Sequence, residues 1–231
     1  MVATRTKFET MMQNLRDDLL HMGFEVEALL QDAVVLLARP LPEAVEEILR
    51  RDDIIDLEAT RIEEQCLRIL TMQQPVLATD LRTISMYLKA ASDLERIGDH
   101  AVNIARTGTK IASEGGIYRP LADIPLLAEK AGLMVHDALE AIIRHDVQCA
   151  EAVIAADDEV DALYRRMRRD LQQAMLQEPS NIVPASHLMF VVHYLERIGD
   201  HSAGIAERVL YRETGDLRHL SMSSGSHAIA A

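Results

Sequence analysis

Leu94–His100 reads LERIGDH, and Leu195–His201 reads LERIGDH again, 101 positions further along a chain of 231 residues. Seven identical letters at that separation mark an internal duplication. Within each copy two carboxylates stand four apart, Glu95 with Asp99 and Glu196 with Asp200. Four residues make about one helical turn, so both acids share one helix face. Like charges placed this way repel by a few tenths of a kcal/mol on an exposed helix, and by more when desolvated. A solvated face would explain one such pair; its recurrence with the same Leu, Arg, Ile, Gly and His around it points to a specific role.

Composition narrows what kind of body carries the repeat. The chain is 48% hydrophobic but only 3% aromatic, has no Trp, and is rich in Ala, Leu, Ile, Met, Arg and Glu. Helix formers dominate and strand formers are scarce, which predicts an all-α protein. A net charge of −13 argues against affinity for nucleic-acid phosphates or anionic membranes, which need Lys and Arg in excess. A metal cation or a basic protein surface suits it better. The two cysteines, Cys66 and Cys149, occupy non-equivalent positions of the two halves and read as small apolar residues in a reducing compartment. The start, MVATRTKFETMMQNL, lacks the apolar run of a signal peptide, and no stretch approaches the roughly 18 uncharged apolar residues of a membrane span. The expectation is a cytoplasmic protein with no direct membrane insertion.

Periodicity divides the chain into six helices. Leu15, Leu19, Met22, Val26, Leu29, Leu30, Ala33 and Leu37 form a stripe on a first helix, expected over residues 8–38 and stopped by Arg39-Pro40-Leu41-Pro42. A second starts with Pro42 in its first turn and carries Ile48, Leu49, Ile55, Ile62, Cys66 and Ile69 to Gln74, where Pro75 ends it. Thr79 or Asp80 is placed to cap a third, which runs through Ile84, Leu88, Ala91, Leu94, Gly98, Ala101 and Ala105 to about Ala112. SEGGIYRPLADIP reads as a linker. Three more helices are expected over 126–144, 148–177 and 184–211, followed by a frayed Ser, Gly and His tail. Long helices joined by short turns pack as antiparallel neighbours, so the predicted architecture is a tandem repeat of two three-helix bundles, residues 8–113 and 124–213, with a tail over 214–231.

Counting back across each turn finds partners for the repeated acids. Asp52, Asp53 and Asp56 align with Asp157, Asp158 and Asp161 in the second half. In an antiparallel pair, residues equidistant from the turn lie level. The midpoints of Asp56 with Glu95 and of Asp52 with Asp99 both fall beside Pro75; those of Asp161 with Glu196 and of Asp157 with Asp200 fall beside Pro179. Four carboxylates are therefore expected to converge in each bundle, and their repulsion needs an offset from a hard cation, from Arg96 and Arg197, or from shared protons. Oxygen-rich helical sites suit Mg²⁺, Mn²⁺ or iron. Asn103 continues the first stripe by a turn, where the second half has Gly204, so the first site is expected to be the better supplied unless Glu207 or water substitutes. His100 and His201 point about 100° away from the acids they follow and are poorly placed as ligands. Gly98 and Gly199 are expected to let another helix approach closely.

Paired ERIGDH segments, the first followed by AVNIAR and preceded by QQPVLATDLR, together with two three-helix repeats, resemble the PhoU family over residues 8–211. The resemblance implies two PhoU-type bundles, often assembled as a homodimer, with metal sites on E(D)xxxD motifs. Carried over, those are Glu95, Asp99 and Asn103 with Asp52 and Asp56, then Glu196 and Asp200 with Asp157 and Asp161. The resemblance also implies iron or zinc, beside the manganese or magnesium that oxygen ligands alone allow. It implies a regulator that represses the phosphate-starvation response by linking the ATPase subunit of a phosphate ABC transporter to a sensor histidine kinase. The chain shows no Ser-His-Asp layout, phosphate-cradling Gly loop or HExxH, which fits a regulator that is not an enzyme. Two other readings compete. One is a carboxylate-bridged metalloenzyme, whose usual helical-bundle signature is Glu-x-x-His rather than the Glu-x-x-x-Asp found here. The other is a metal-free adaptor with an acidic docking surface.

Overall fold

The computed structural model describes residues 2–72, 76–113, 123–216 and 218. Among these it is built from six α-helices: α1 Val2–Ala38, α2 Pro42–Met72, α3 Ala78–Ser113, α4 Ile124–Arg144, α5 Val147–Gln177 and α6 Ile182–Thr214, with a 3₁₀ turn, Pro179–Asn181, between the last two. Helices α1, α2 and α3 pack on one another, as do α4, α5 and α6. The all-α tandem of three-helix bundles predicted from periodicity is the architecture found. Each helix buries one stripe: Leu15, Leu19, Met22, Val26 and Leu29 are fully enclosed on α1, and Ile55, Ile62, Cys66 and Ile69 nearly so on α2. Each aliphatic side chain so enclosed contributes about 1.5–3 kcal/mol of transfer free energy. Leu37, Leu49 and Leu88 of the expected stripes stay only partly buried against the core.

Helix ends follow local chemistry more closely than periodicity does. Thr79 and Asp80 do not cap α3; they lie inside its first turn, and the Leu81 amide donates to the Leu77 carbonyl at 3.0 Å. Asp80 there still favours the positive end of the helix dipole. The expected stop of α2 at Gln74 and Pro75, the centre of the linker and the tail from 219 onward lie outside the described residues. Helix α4 begins two residues before the expected Leu126, with Pro125 in its first turn. His145 closes it in the left-handed region at φ 53, and the Asp146 side chain caps α5 by accepting from the Cys149 amide at 3.1 Å. Helix α6 likewise starts two residues before Pro184, whose missing N–H matters little in a first turn. It runs past Tyr211 to Thr214, where Gly215 at φ 73 donates to the Tyr211 carbonyl at 2.9 Å.

The two sets of helices meet along α3 and α6, with α1 against α4 beside them. Arg82 Nε donates to the Arg212 carbonyl and Arg212 Nε to Thr83 Oγ1, both at 3.1 Å, so the start of α3 lies beside the end of α6 and the two repeated motifs run antiparallel. Arg16 Nη2 reaches the Ile143 carbonyl at 2.9 Å and ties α1 to the last turn of α4. Cys66 and Cys149 are both free thiols; Cys66 is enclosed and burial pushes it up to about 12, while Cys149 is half-buried. Among the described residues no helix is long and apolar enough to cross a membrane.

Candidate metal centre

Each repeat brings its second helix against the glycine of its third. A Cβ added at Gly98 would stand 3.0 Å from Asp52 Oδ1, and one at Gly199 would stand 3.3 Å from Asp157 Oδ1 and 3.2 Å from Val160 Cγ1. The glycine of the motif thus lets the neighbouring helix approach, and what approaches is the carboxylate counted back across the turn. Both of those oxygens are buried with no hydrogen-bond partner. Burial, then Asp56 and Asp99, push Asp52 up to about 6; burial, then Asp200, Asp161 and Glu196, push Asp157 up to about 7. Asp56 is also raised, by burial and then by Asp99. The DxxxD acids of the second helix thus come near Asp99 in the first repeat and near Glu196 and Asp200 in the second.

The two repeats differ in how tightly the acids gather, a property separate from the number of ligand groups that Asn103 and Gly204 set. In the second, carboxylate oxygens of Asp161, Glu196 and Asp200 all lie within 4.8 Å of one another, and among the described residues no other set of three or more His, Cys, Asp or Glu does so. The convergence is of three carboxylates, with Asp157 beside them against Gly199. In the first repeat Asp56, Glu95 and Asp99 do not close up. Exposure explains it: Asp56 is exposed and the Asp99 side chain is 42% exposed, against 16% for Asp200, 21% for Asp161 and 9% for Glu196. Carboxylates open to water relieve their repulsion by splaying apart, whereas the second set is more enclosed. Asp56 and Glu95 instead line a cleft of about 520 Å³ with Glu63, Lys89 and Arg208.

Arginines offset part of the charge: Arg96 Nη1 donates to Asp99 Oδ2 at 3.2 Å and Arg197 Nη1 to Asp200 Oδ2 at 2.7 Å. Asn103 is half-buried on α3, one turn beyond Asp99. Its counterpart Gly204 would direct a Cβ to 3.6 Å from Asp93 Oδ2, so this position leans toward the α3–α6 seam. Glu207 is buried but lies outside the three-carboxylate group.

The motif histidines turn into the same seam. His201 Nδ1 lies 3.1 Å from Asp93 Oδ1, which Lys89 also reaches at 2.9 Å. His100 stacks on Tyr194 at 5.7 Å and on His201 at 5.6 Å, and burial pushes it down to about 4. Asp93 and Tyr194 hold equivalent places in the repeat, so each meets the motif histidine of the other half. Sequence reasoning overlooked His193, whose Nδ1 stands 3.4 Å from Glu196 Oε2. The signal was available, because the position two before LERIGDH is Ser92 in one copy and His193 in the other.

The donor set fits a cation. Three carboxylate oxygens within 4.8 Å of one another suit a hard cation, and Glu196, about nine-tenths buried, has an oxygen, Oε2, that accepts no hydrogen bond. Comparison with known proteins adds the lineage: the PhoU domain model matches twice, over residues 19–107 and 124–209. The chain belongs to the PhoU family. A protein of Clostridium acetobutylicum named as a PhoU homolog of the phosphate-specific transport system is 35% identical over 92% of this chain and 96% of its own length. A homolog so named from Pseudomonas aeruginosa is 35% identical over 94% of this chain and 90% of its length. The fold agrees with the crystal structure of PhoU from Pseudomonas aeruginosa at a TM-score of 0.87 and 35% identity, over 90% of this chain and 100% of that one. It agrees also with the phosphate transport system regulatory protein PhoU from Streptococcus pneumoniae, at 0.81 and 27%, over 91% and 98%. The PhoU repeat boundaries enclose both acidic faces.

Proposed function

We propose that this PhoU-family protein is a cytoplasmic accessory regulator of phosphate uptake that represses the phosphate-starvation response when phosphate is plentiful. It acts as an adaptor between the ATPase subunit of a phosphate ABC transporter and a sensor histidine kinase, works as a homodimer, and performs no catalysis. The observation that carries this reading is the double PhoU repeat across nearly the whole chain, shared with relatives named as accessory proteins of the phosphate-specific transport system. Those names favour an adaptor over the carboxylate-bridged metalloenzyme. Metal sites belong to the proposal: Asp157, Asp161, Glu196 and Asp200 hold a cation in the second repeat, and Asp52, Asp56, Glu95, Asp99 and Asn103 hold one in the first. Iron, zinc, manganese and magnesium are the candidate ions.

A bound ion supplies the positive charge that each acidic face needs. The residues around it do the rest. Gly98 and Gly199 let the neighbouring acids approach, and Arg96 and Arg197 steady the outer carboxylates. His100 and His201 carry the position of each motif into the seam between the halves.

Deleting the gene tests the regulatory role. Phosphate-starvation genes should then be expressed in phosphate-rich medium, and continued repression would refute it. Metal analysis of protein purified without chelator or affinity tag should find bound metal that falls when Asp161 and Asp200 are replaced by Asn; metal-free wild-type protein would favour the acidic docking surface instead.

A further inference from the structure

We propose that His193 completes the second acidic cluster as its nitrogen ligand, so that this repeat selects a borderline ion such as Zn²⁺, while the first repeat, with Ser92 in the equivalent place, offers oxygen alone. The inference rests on the carboxylate cluster being a metal site. It goes further by giving the two repeats different metal preferences through a residue outside the ExxxD and DxxxD pairs.

Three observations carry it. The first is the orphaned acceptor: Glu196 Oε2 is buried without a hydrogen bond, although His193 Nδ1 stands only 3.4 Å away. At that separation the pair is at most a loose ion contact. The separation suits two ligands of one ion equally well, since donors about 2.1 Å from a tetrahedral centre stand about 3.4 Å apart. The second is position. His193 precedes Glu196 by three residues on α6, so both side chains project from one face over the same turn. Tyr164 and Tyr194 flank its ring at centroid distances of 6.3 and 6.1 Å. In this structure His193 meets the cluster through Glu196, outside the three-oxygen group itself. Its side chain is 47% exposed, so the imidazole has room to rotate inward on an ion.

The third observation is the broken symmetry. Three carboxylates without nitrogen favour hard ions such as Mg²⁺ and Mn²⁺, whereas adding imidazole shifts preference toward Zn²⁺, iron and other transition ions. Ser92 stands on the exposed surface of α3 and brings no nitrogen to Glu95. The same backbone repeat thus presents two ligand chemistries.

The test uses the full chain, stripped with chelator, in a Glu95→Gln plus Asp99→Asn background that silences the first repeat. Zn²⁺ and Mn²⁺ are titrated separately by calorimetry, and long-range ¹H–¹⁵N spectra follow the imidazole nitrogens. Zn²⁺ should move the His193 ring resonances. His193→Ala, and equally His193→Gln, should lower zinc affinity at least ten-fold while leaving Mn²⁺ affinity within about two-fold. Zinc affinity retained in both variants, with His193 nitrogens unmoved in the parent, would overturn the histidine assignment while loss of zinc in Asp161→Asn plus Asp200→Asn left the carboxylate site standing. Zinc that persisted in that double variant, or no zinc bound by the parent, would overturn the carboxylate site and this inference together.

Discussion

Glu196→Gln isolates the electrostatic strain of the second cluster, because the amide keeps the shape of the side chain and removes its charge. Glu196 has an oxygen within 4.8 Å of an oxygen on each of Asp161 and Asp200. Two unit charges at that distance repel by about 0.9 kcal/mol in water and about 3.5 kcal/mol at the effective dielectric of a protein surface. Asp161 and Asp200 keep some contact with solvent, and Arg197 screens one of them, so the low end applies to each pair. Against this relief stands the lost contact with half-exposed His193, worth less than about 1 kcal/mol. The metal-free variant should therefore be more stable than wild type by about 1–2 kcal/mol. For a chain of this size that is a rise of about 2–8 °C in the unfolding midpoint. Saturating Zn²⁺ should invert the order, since wild type gains binding free energy that the variant forfeits. Calorimetric melts of both proteins, with chelator and with zinc, make the measurement. A metal-free variant less stable than wild type would refute the reasoning, because it would mean that Glu196 is held by favourable contacts.

Two more perturbations address the acid facing the motif glycine. Asp157 is raised from 3.8 to about 7 by burial and then by Asp200, Asp161, Glu196 and Asp158, so the native state holds its proton more tightly than the unfolded chain does. Stability from this group is therefore greatest at low pH and declines as pH climbs from about 4 to 7. In chelator, the advantage of Asp157→Asn over wild type should grow across that window in denaturant titrations; a constant difference would count against the placement. Gly199→Ala should destabilise by about 1 kcal/mol. The gain of about 1 kcal/mol in helix propensity is outweighed by about 2 kcal/mol of overpacking against Val160 and Asp157, and a net stabilisation in urea would show that the helices do not meet so closely.

How much was legible in advance differs between the fold and the site. The stripes on α1 and α2 were readable because a period of 3.6 residues is a property of the chain itself, and most of the buried residues of those two helices are stripe residues. The facing of Asp52 on Gly98 and of Asp157 on Gly199 was readable too, because antiparallel helices joined by a short turn leave one possible register. Helix starts were less so. Thr79 and Asp80 have good capping chemistry, yet α3 begins at Ala78, since a start is set by where the turn releases the backbone.

From the sequence alone come the duplication, the all-α class and the pairing of acids within each repeat, all of which depend on spacing along one chain. Only the tertiary structure decided which repeat gathers its carboxylates. Asn103 made the first look richer, but Asp161, Glu196 and Asp200 are the more enclosed acids and stand together, while Asp56 and Asp99 open to water. The structure likewise placed His193 beside Glu196, and set His100 and His201 across the seam from the opposite repeat. Burial and the packing of α3 on α6 join residues about 100 positions apart, and no periodicity within a single helix encodes how much water reaches them.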